Sequence, residues 1–420
     1  MTNTILFYLP MIIYLGGFSL FLFLGKERQC RVCGISRGLF FTGAFLSAAL
    51  LFVYSAGSGA ETGAFKLSRD SIAVFVVFMP VIALSGFFEK DRENGVKMFF
   101  LFCAGFIYIF AAKNIILALM LFFMADFAVV FAAAGGKGNN ETGSLINKKA
   151  FFSLAAFASV FIYAASAGGS GAVLGPAALG AAFFFAALSS GGVMTVMNKI
   201  SEAKKVYYKN EPGGMLASAL LVYVLSISFS AQPDKLPAVV FPFVLFWGLL
   251  YIFYAVIEED FAGYILLTGG GMLMFAAGAA ISGTAPPGAL NLLICIMGGA
   301  MMAALSAGAG GAEVHNIRYR PEKVESHILA LFSMAVLTAV QIVFIAALIN
   351  GEFQTQAVKF ILTAGAALYS VNILNGFFIL MSGVKRFGVS IKKGAEKRNA
   401  AGAGAGIVLV LAVIMQGWFI

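Results

Sequence analysis

One acid lies deep in an apolar run: Asp126, within NIILALMLFFMADFAVVF (residues 114–131). At membrane depth an ionisable side chain is costly and by default marks a functional position. With a cationic partner Asp126 could pass a proton on. Without one it stays protonated and serves as a neutral hydrogen-bond donor between helices. Lys199, in the run MNKISEAKKVYYKNEP, is the candidate partner if it enters the helix bundle. Lys204, Lys205 and Lys209 follow it closely, and such a cluster ordinarily sets topology from a cytoplasmic loop. The other chemistry-bearing side chains in apolar runs are uncharged. Gln341 stands mid-run in ILALFSMAVLTAVQIVFIAAL, and Tyr369, Asn372 and Asn375 recur along the next run. None of these carries a proton by ionising near neutral pH, but each can hydrogen-bond across helices or line a small wet cavity. Cys30 and Cys33 form a lone C-x-x-C beside Arg28 and Arg31. A zinc or iron–sulfur site needs further ligands, so two reduced thiols in a basic loop are expected and the pair is only a weak metal candidate. No nucleotide, haem or metal motif and no catalytic constellation is present, so no cofactor is expected in this chain.

The elements that position these residues follow from composition. The chain of 420 residues is 61% apolar and 11% charged, with a mean hydropathy of +0.94. It must use lipid as its solvent, which excludes a soluble domain. Runs of roughly 20 apolar residues match a hydrocarbon core of about 30 Å as helices, whose backbone groups are satisfied internally. Fourteen spans are predicted, at 5–24, 38–56, 71–88, 97–112, 114–134, 150–167, 176–195, 214–230, 237–256, 261–282, 288–309, 327–349, 357–381 and 404–420. Nothing basic precedes the first, so no cleavable signal peptide is expected.

The net charge of +9 does not point to nucleic acid. Of the 28 Lys and Arg residues, 23 fall in loops after odd-numbered spans. By the positive-inside rule those loops are cytoplasmic and both termini lie on the outer side. The last such loop, KRFGVSIKKGAEKR, suits anionic lipid headgroups.

Several runs, in order, resemble the antiporter-like membrane subunits shared by respiratory complex I, membrane-bound hydrogenases and multisubunit cation/proton antiporters. The stretch Glu258–Gly311 has that family's acidic corner, apolar span, Pro-Pro break and second apolar span, with Glu259, Asp260, Gly288, Ala289 and Gly308 in frame. Phe65 onward resembles the entry to the family's third helix, with Asp70 as a helix-capping or first-turn acid. Ser218-Ala219-Leu220-Leu221 matches a further segment. The family's proton-handling residues are largely replaced. Its histidine and lysine in the second apolar span fall on Ile296 and Ala300, its lysine nine residues after the serine matched by Ser218 on Ile227, and its embedded glutamate on the frame Phe122–Ala125, one residue short of Asp126. The span at 327–349 lacks the Pro-Pro, Gly and lysine of the family's broken helix, which implies an unbroken helix here.

The resemblance implies an all-α integral membrane protein with two inverted five-helix repeats, spans four to eight and nine to thirteen. Gly105-Phe-Ile-Tyr-Ile-Phe and Gly248-Leu-Leu-Tyr-Ile-Phe echo one another across them. The expected organisation is peripheral helices at 1–96, a first repeat at 97–230, a second at 231–382, and a basic loop with a last helix at 383–420. The implied function is that of a divergent membrane-arm subunit of a complex I-like or hydrogenase-like assembly in the cytoplasmic membrane. It would be mainly structural, with weakened or lost proton translocation, and at most a non-catalytic subunit of an oxidoreductase. Its partners would be sibling antiporter-like chains, other membrane subunits and lipid. Two alternatives stand beside it: an active subunit with a non-standard path, and a stand-alone transporter or lipid-linked-sugar flippase. The absence of basic residues from the middle of every span speaks against the flippase.

Overall fold

The computed structural model describes residues 60–63, 65–67, 112–134, 140–166, 174–189, 211–230, 240–257, 261–283, 287–308, 324–349 and 356–390, with 8, 9, 12, 13, 16, 74, 77, 78, 81 and 109 individually. A short antiparallel hairpin, β1 (Ala60–Thr62) and β2 (Phe65–Leu67), precedes the helices. These are α1 (Ile115–Ala134), α2 (Asn140–Ser166), α3 (Leu174–Ser189), α4 (Glu211–Ser230), α5 (Val240–Ile257), α6 (Phe261–Ser282), α7 (Pro287–Gly308), α8 (Val324–Ile349) and α9 (Gln356–Ser390). The protein is thus helical, and spans five to thirteen of the sequence each fall on one helix. Most residues of the other expected spans, together with Cys30, Cys33, Asp70, Lys199 and the acidic corner Glu259-Asp260, lie outside the described residues.

Local chemistry sets the ends. Prolines stand in the first turn of four helices, as Pro176, Pro212, Pro242 and Pro287. There the missing N–H is no loss and the fixed φ suits the helix. Asn114 caps α1: its Oδ1 accepts from the Ile116 amide at 2.9 Å. Gly283, at φ +68°, closes α6 in the left-handed conformation that glycine adopts without strain.

Two helices outrun their apolar cores. α2 starts at Asn140 rather than near 150, and α9 ends at Ser390 rather than near 381. The first residues of α2 and the last of α9 are polar, and an apolar window passes over them. An established helix nevertheless extends past the lipid boundary at little cost, because each further turn keeps its own hydrogen bonds. At 35 residues, α9 is about 52 Å long at 1.5 Å per residue, well beyond the ~30 Å of a hydrocarbon core.

The chain divides into two compact units, Met1–Met79 with Ser85–Val240, and Pro80–Leu84 with Phe241–Ile420. Among the described elements of the first unit, α4 is buried over its middle: every residue from Ala219 to Ser226 is buried. A helix apolar and buried on all sides is a core helix. α1 packs on it, and Phe123 of α1 meets Phe157 of α2 with ring centroids 4.5 Å apart. The hairpin is tied to the start of α1 by a bridge from Phe65 to Ala112 and by the Lys113 ammonium, which donates to the Gly63 carbonyl at 3.1 Å. On α2, Phe151, Leu154, Phe161 and Ile162 are exposed, Leu154 by 69%. Such a face is unfavourable in water and ordinary in lipid.

In the second unit α6 is buried almost throughout, and α5 and α6 are each long and apolar enough to cross a membrane. The two run antiparallel, with Leu245, Gly248 and Ile252 set against Gly278, Phe275 and Gly271. α8 continues without a break through Gln341, as the missing Pro-Pro and glycine imply. Its outward positions Ile328, Phe332, Ile342 and Val343 are apolar, as are Phe360, Leu374 and Phe378 of α9.

Candidate functional site

Serine and threonine hydroxyls are short, and along these helices they turn back on their own backbone. Ser159, Ser226, Thr338, Thr363 and Ser370 each donate to the carbonyl four residues earlier, at 2.7–2.9 Å. Carboxamides and phenols are longer and reach across, which singles out one place in the second unit. Asn372 of α9 donates through Nδ2 to Gln341 Oε1 of α8 at 3.3 Å and to Thr268 Oγ1 of α6 at 3.3 Å. The Tyr264 hydroxyl of α6 donates to the Asn372 carbonyl at 3.1 Å. One asparagine therefore joins three helices, and every participant is buried. Asn375, a turn further on, is half-buried and donates to the Val256 carbonyl of α5 at 3.4 Å.

Sequence periodicity explains why these residues meet. Tyr264, Thr268, Gly271 and Phe275 share one stripe of α6, while Gly365, Tyr369, Asn372 and Gly376 share one stripe of α9. The stripes face each other in antiparallel order. Phe275 lies edge-on to the Tyr369 ring with centroids 5.2 Å apart. A Cβ on Gly365 would come within 3.1 Å of Phe275, and one on Gly376 within 2.9 Å of the Tyr264 hydroxyl. The glycines let α9 lie close enough to α6 for short polar arms to touch.

Of the residues the sequence singles out, Gln341, Tyr369 and Asn372 lie buried in this one region, and Asn375 stands at its edge. Asp126 is on α1 in the first unit, and its side chain lies outside the described residues, as does the whole of Lys199. Tyr264 and Thr268 were not legible as site residues. Their spacing on the stripe that also carries Gly271 is the signal that could have found them. Where the family has its histidine and lysine, Ile296 of α7 is half-buried and Ala300 is buried, both apolar. No cluster of three or more His, Cys, Asp or Glu suited to a metal occurs among the described residues. Chemically, the cluster at Asn372 can hold helices together and donate or accept hydrogen bonds. Nothing in it ionises readily near neutral pH.

The helices and their exposed apolar faces are those of a helical membrane protein. By sequence, no family model and no curated protein matches the chain. By structure it is similar to a chain of respiratory complex I from Thermus thermophilus with bound aureothin, at a TM-score of 0.65 and 13% identity, covering 99% of this chain and 97% of that one. A chain of the same complex with bound NADH gives 0.53 and 16%, over 98% and 95%. A chain of the membrane-bound sulfane sulfur reductase, an archaeal respiratory membrane complex, gives 0.56 and 15%, over 97% and 75%. The all-helical architecture implied by the family resemblance is therefore shared with chains of these complexes.

Proposed function

We propose that the protein is a membrane-arm subunit of a complex I-like or hydrogenase-like respiratory assembly, chiefly structural, with proton translocation of its own weakened or lost. The observation that carries this is the neutrality of the Asn372 cluster. A proton relay needs titratable groups within hydrogen-bonded or water-bridged reach of one another. The second unit instead joins α6, α8 and α9 through a phenol, a hydroxyl and two carboxamides, on an α8 that runs unbroken past Gln341. Such bonds fasten helices to one another away from bulk water. In the first unit, Leu119, Phe122 and Phe123 of α1, one and two turns before Asp126, are buried. The run that holds Asp126, residues 114–131, contains no basic residue, which suits a protonated acid acting as a packing donor rather than a charge carrier.

The topology belongs to the same proposal: fourteen spans, two inverted repeats at 97–230 and 231–382, both termini outside, and a place in the cytoplasmic membrane. The helices found at spans five to thirteen support it, as does the concentration of Lys and Arg in alternate loops. The partners would be sibling antiporter-like chains and the redox subunits that hold the cofactors.

The test is purification of the protein from its native membranes in mild detergent, with co-purifying chains identified by mass. Recovery with redox or hydrogenase subunits and sibling chains is expected. Recovery as a lone monomer or homodimer would sink the structural-subunit function and leave a stand-alone transporter as the one to pursue.

A further inference from the structure

Besides Trp247 Nε1 on α5, two polar atoms of the second unit, both on α9, are enclosed by protein and have no protein partner among the described residues: the Tyr369 hydroxyl and Asn372 Oδ1. Both residues are 0% exposed. They stand three apart on α9 and so share a face, with Cβ atoms roughly 5–6 Å apart. Asn372 already directs its amide at Thr268 and Gln341, so what remains is an acceptor. Tyr369 offers a hydroxyl that can rotate to donate or accept. Phe275 lies edge-on to the Tyr369 ring and α9 approaches its neighbours closely at Gly365 and Gly376, which limits how far either side chain can swing to find a protein partner. A buried hydroxyl and a buried carboxamide oxygen on one helix face are the kind of groups that interior water satisfies, typically with about three hydrogen bonds per molecule.

We propose that the second unit binds water between Tyr369 and Asn372, as one molecule or a chain of two. The water donates to Asn372 Oδ1 and bonds the Tyr369 hydroxyl, extending the Gln341–Asn372–Thr268 cluster along α9. A bare monovalent cation fits this site poorly: the Thr268 and Gln341 oxygens already accept from Asn372, and the cluster contains no carboxylate to offset a charge. The site is independent of any respiratory partner, since every group in it belongs to this chain.

The experiment is thermal unfolding of the full-length protein in lipid nanodiscs, where the sign of the change on removing one hydroxyl decides. If water is held, Tyr369→Phe lowers the midpoint by about 2–4 °C. Adding Tyr369→Phe to Asn372→Leu then costs less than it does in the native background, because both substitutions remove the same water. If the hydroxyl is bare, Tyr369→Phe relieves an unsatisfied group and the midpoint stays or rises, which overturns the proposal. Should Asn372→Leu not fold, water-to-protein magnetisation transfer in solid-state NMR of the unaltered protein decides. Rapid transfer to the Tyr369 ring and the Asn372 carboxamide supports the site, and no transfer to either overturns it.

Discussion

Asp126 and Asn372 pose the same question at the residue scale: what a polar group does where water is scarce. Asn372 answers it with partners, giving its amide to two helices at once. Asp126 has a cheaper answer available, since a carboxyl that keeps its proton is nearly the same shape as a carboxamide and equally neutral. If it acts as a packing donor, Asp126→Asn leaves both the unfolding midpoint and the proton uptake of the assembled complex unchanged. Proton-uptake assays in native membrane vesicles check this, and a clear loss of uptake with an intact complex would restore an active path through α1. Gln341 stands out in the sequence because it is the one carboxamide of its run, and in the structure its Oε1 accepts from Asn372 of the next helix. Tyr264 and Thr268 were missed because tyrosine and threonine are common in apolar helices, and their role depends on which stripe of α6 meets α9.

At the scale of elements, the second unit is assembled by an aromatic ring set between glycines. Phe275 of α6 fills a slot whose walls are Gly248 of α5 and Gly365 of α9. A Cβ on Gly248 would fall 2.7 Å from the ring, one on Gly365 3.1 Å from it. The ring cannot swing aside freely, because Tyr369 stands at its edge. Gly248→Ala is therefore expected to destabilise by about 1–3 kcal/mol through overpacking. Phe275→Leu in the same chain should recover part of that loss, since the two changes share one space. Unfolding midpoints of the two single variants and the double variant measure the coupling, and simple additivity would mean that the slot is not where the helices are held. Glycine was legible in the sequence only as permission for close approach. Which glycines are used, and against what, depends on the antiparallel setting of three helices.

At the scale of the whole molecule, the charge asymmetry makes a prediction independent of any partner. Single cysteines placed after Gly136 and after Gly394 should be protected from an impermeant thiol reagent in right-side-out vesicles. Cysteines placed near either terminus should react. The reverse pattern would invert the proposed topology, and a mixed pattern would break the count of fourteen spans. Composition by itself determined that the chain lives in lipid, and apolar run length determined where spans five to thirteen lie. Both are one-dimensional properties, fixed by the energy of each residue in hydrocarbon and by the thickness of the layer. The order of its partial motifs was enough to suggest the fold. Sequence did not determine the reach of α2 and α9 beyond their apolar runs, nor the hairpin at residues 60–67, because polar residues extend a helix or strand without leaving an apolar trace. Nor could it determine that Tyr264, Thr268, Gln341 and Asn372 form one cluster. Those residues lie up to 108 positions apart, and only the antiparallel packing of their helices brings neutral polar groups close enough to satisfy one another.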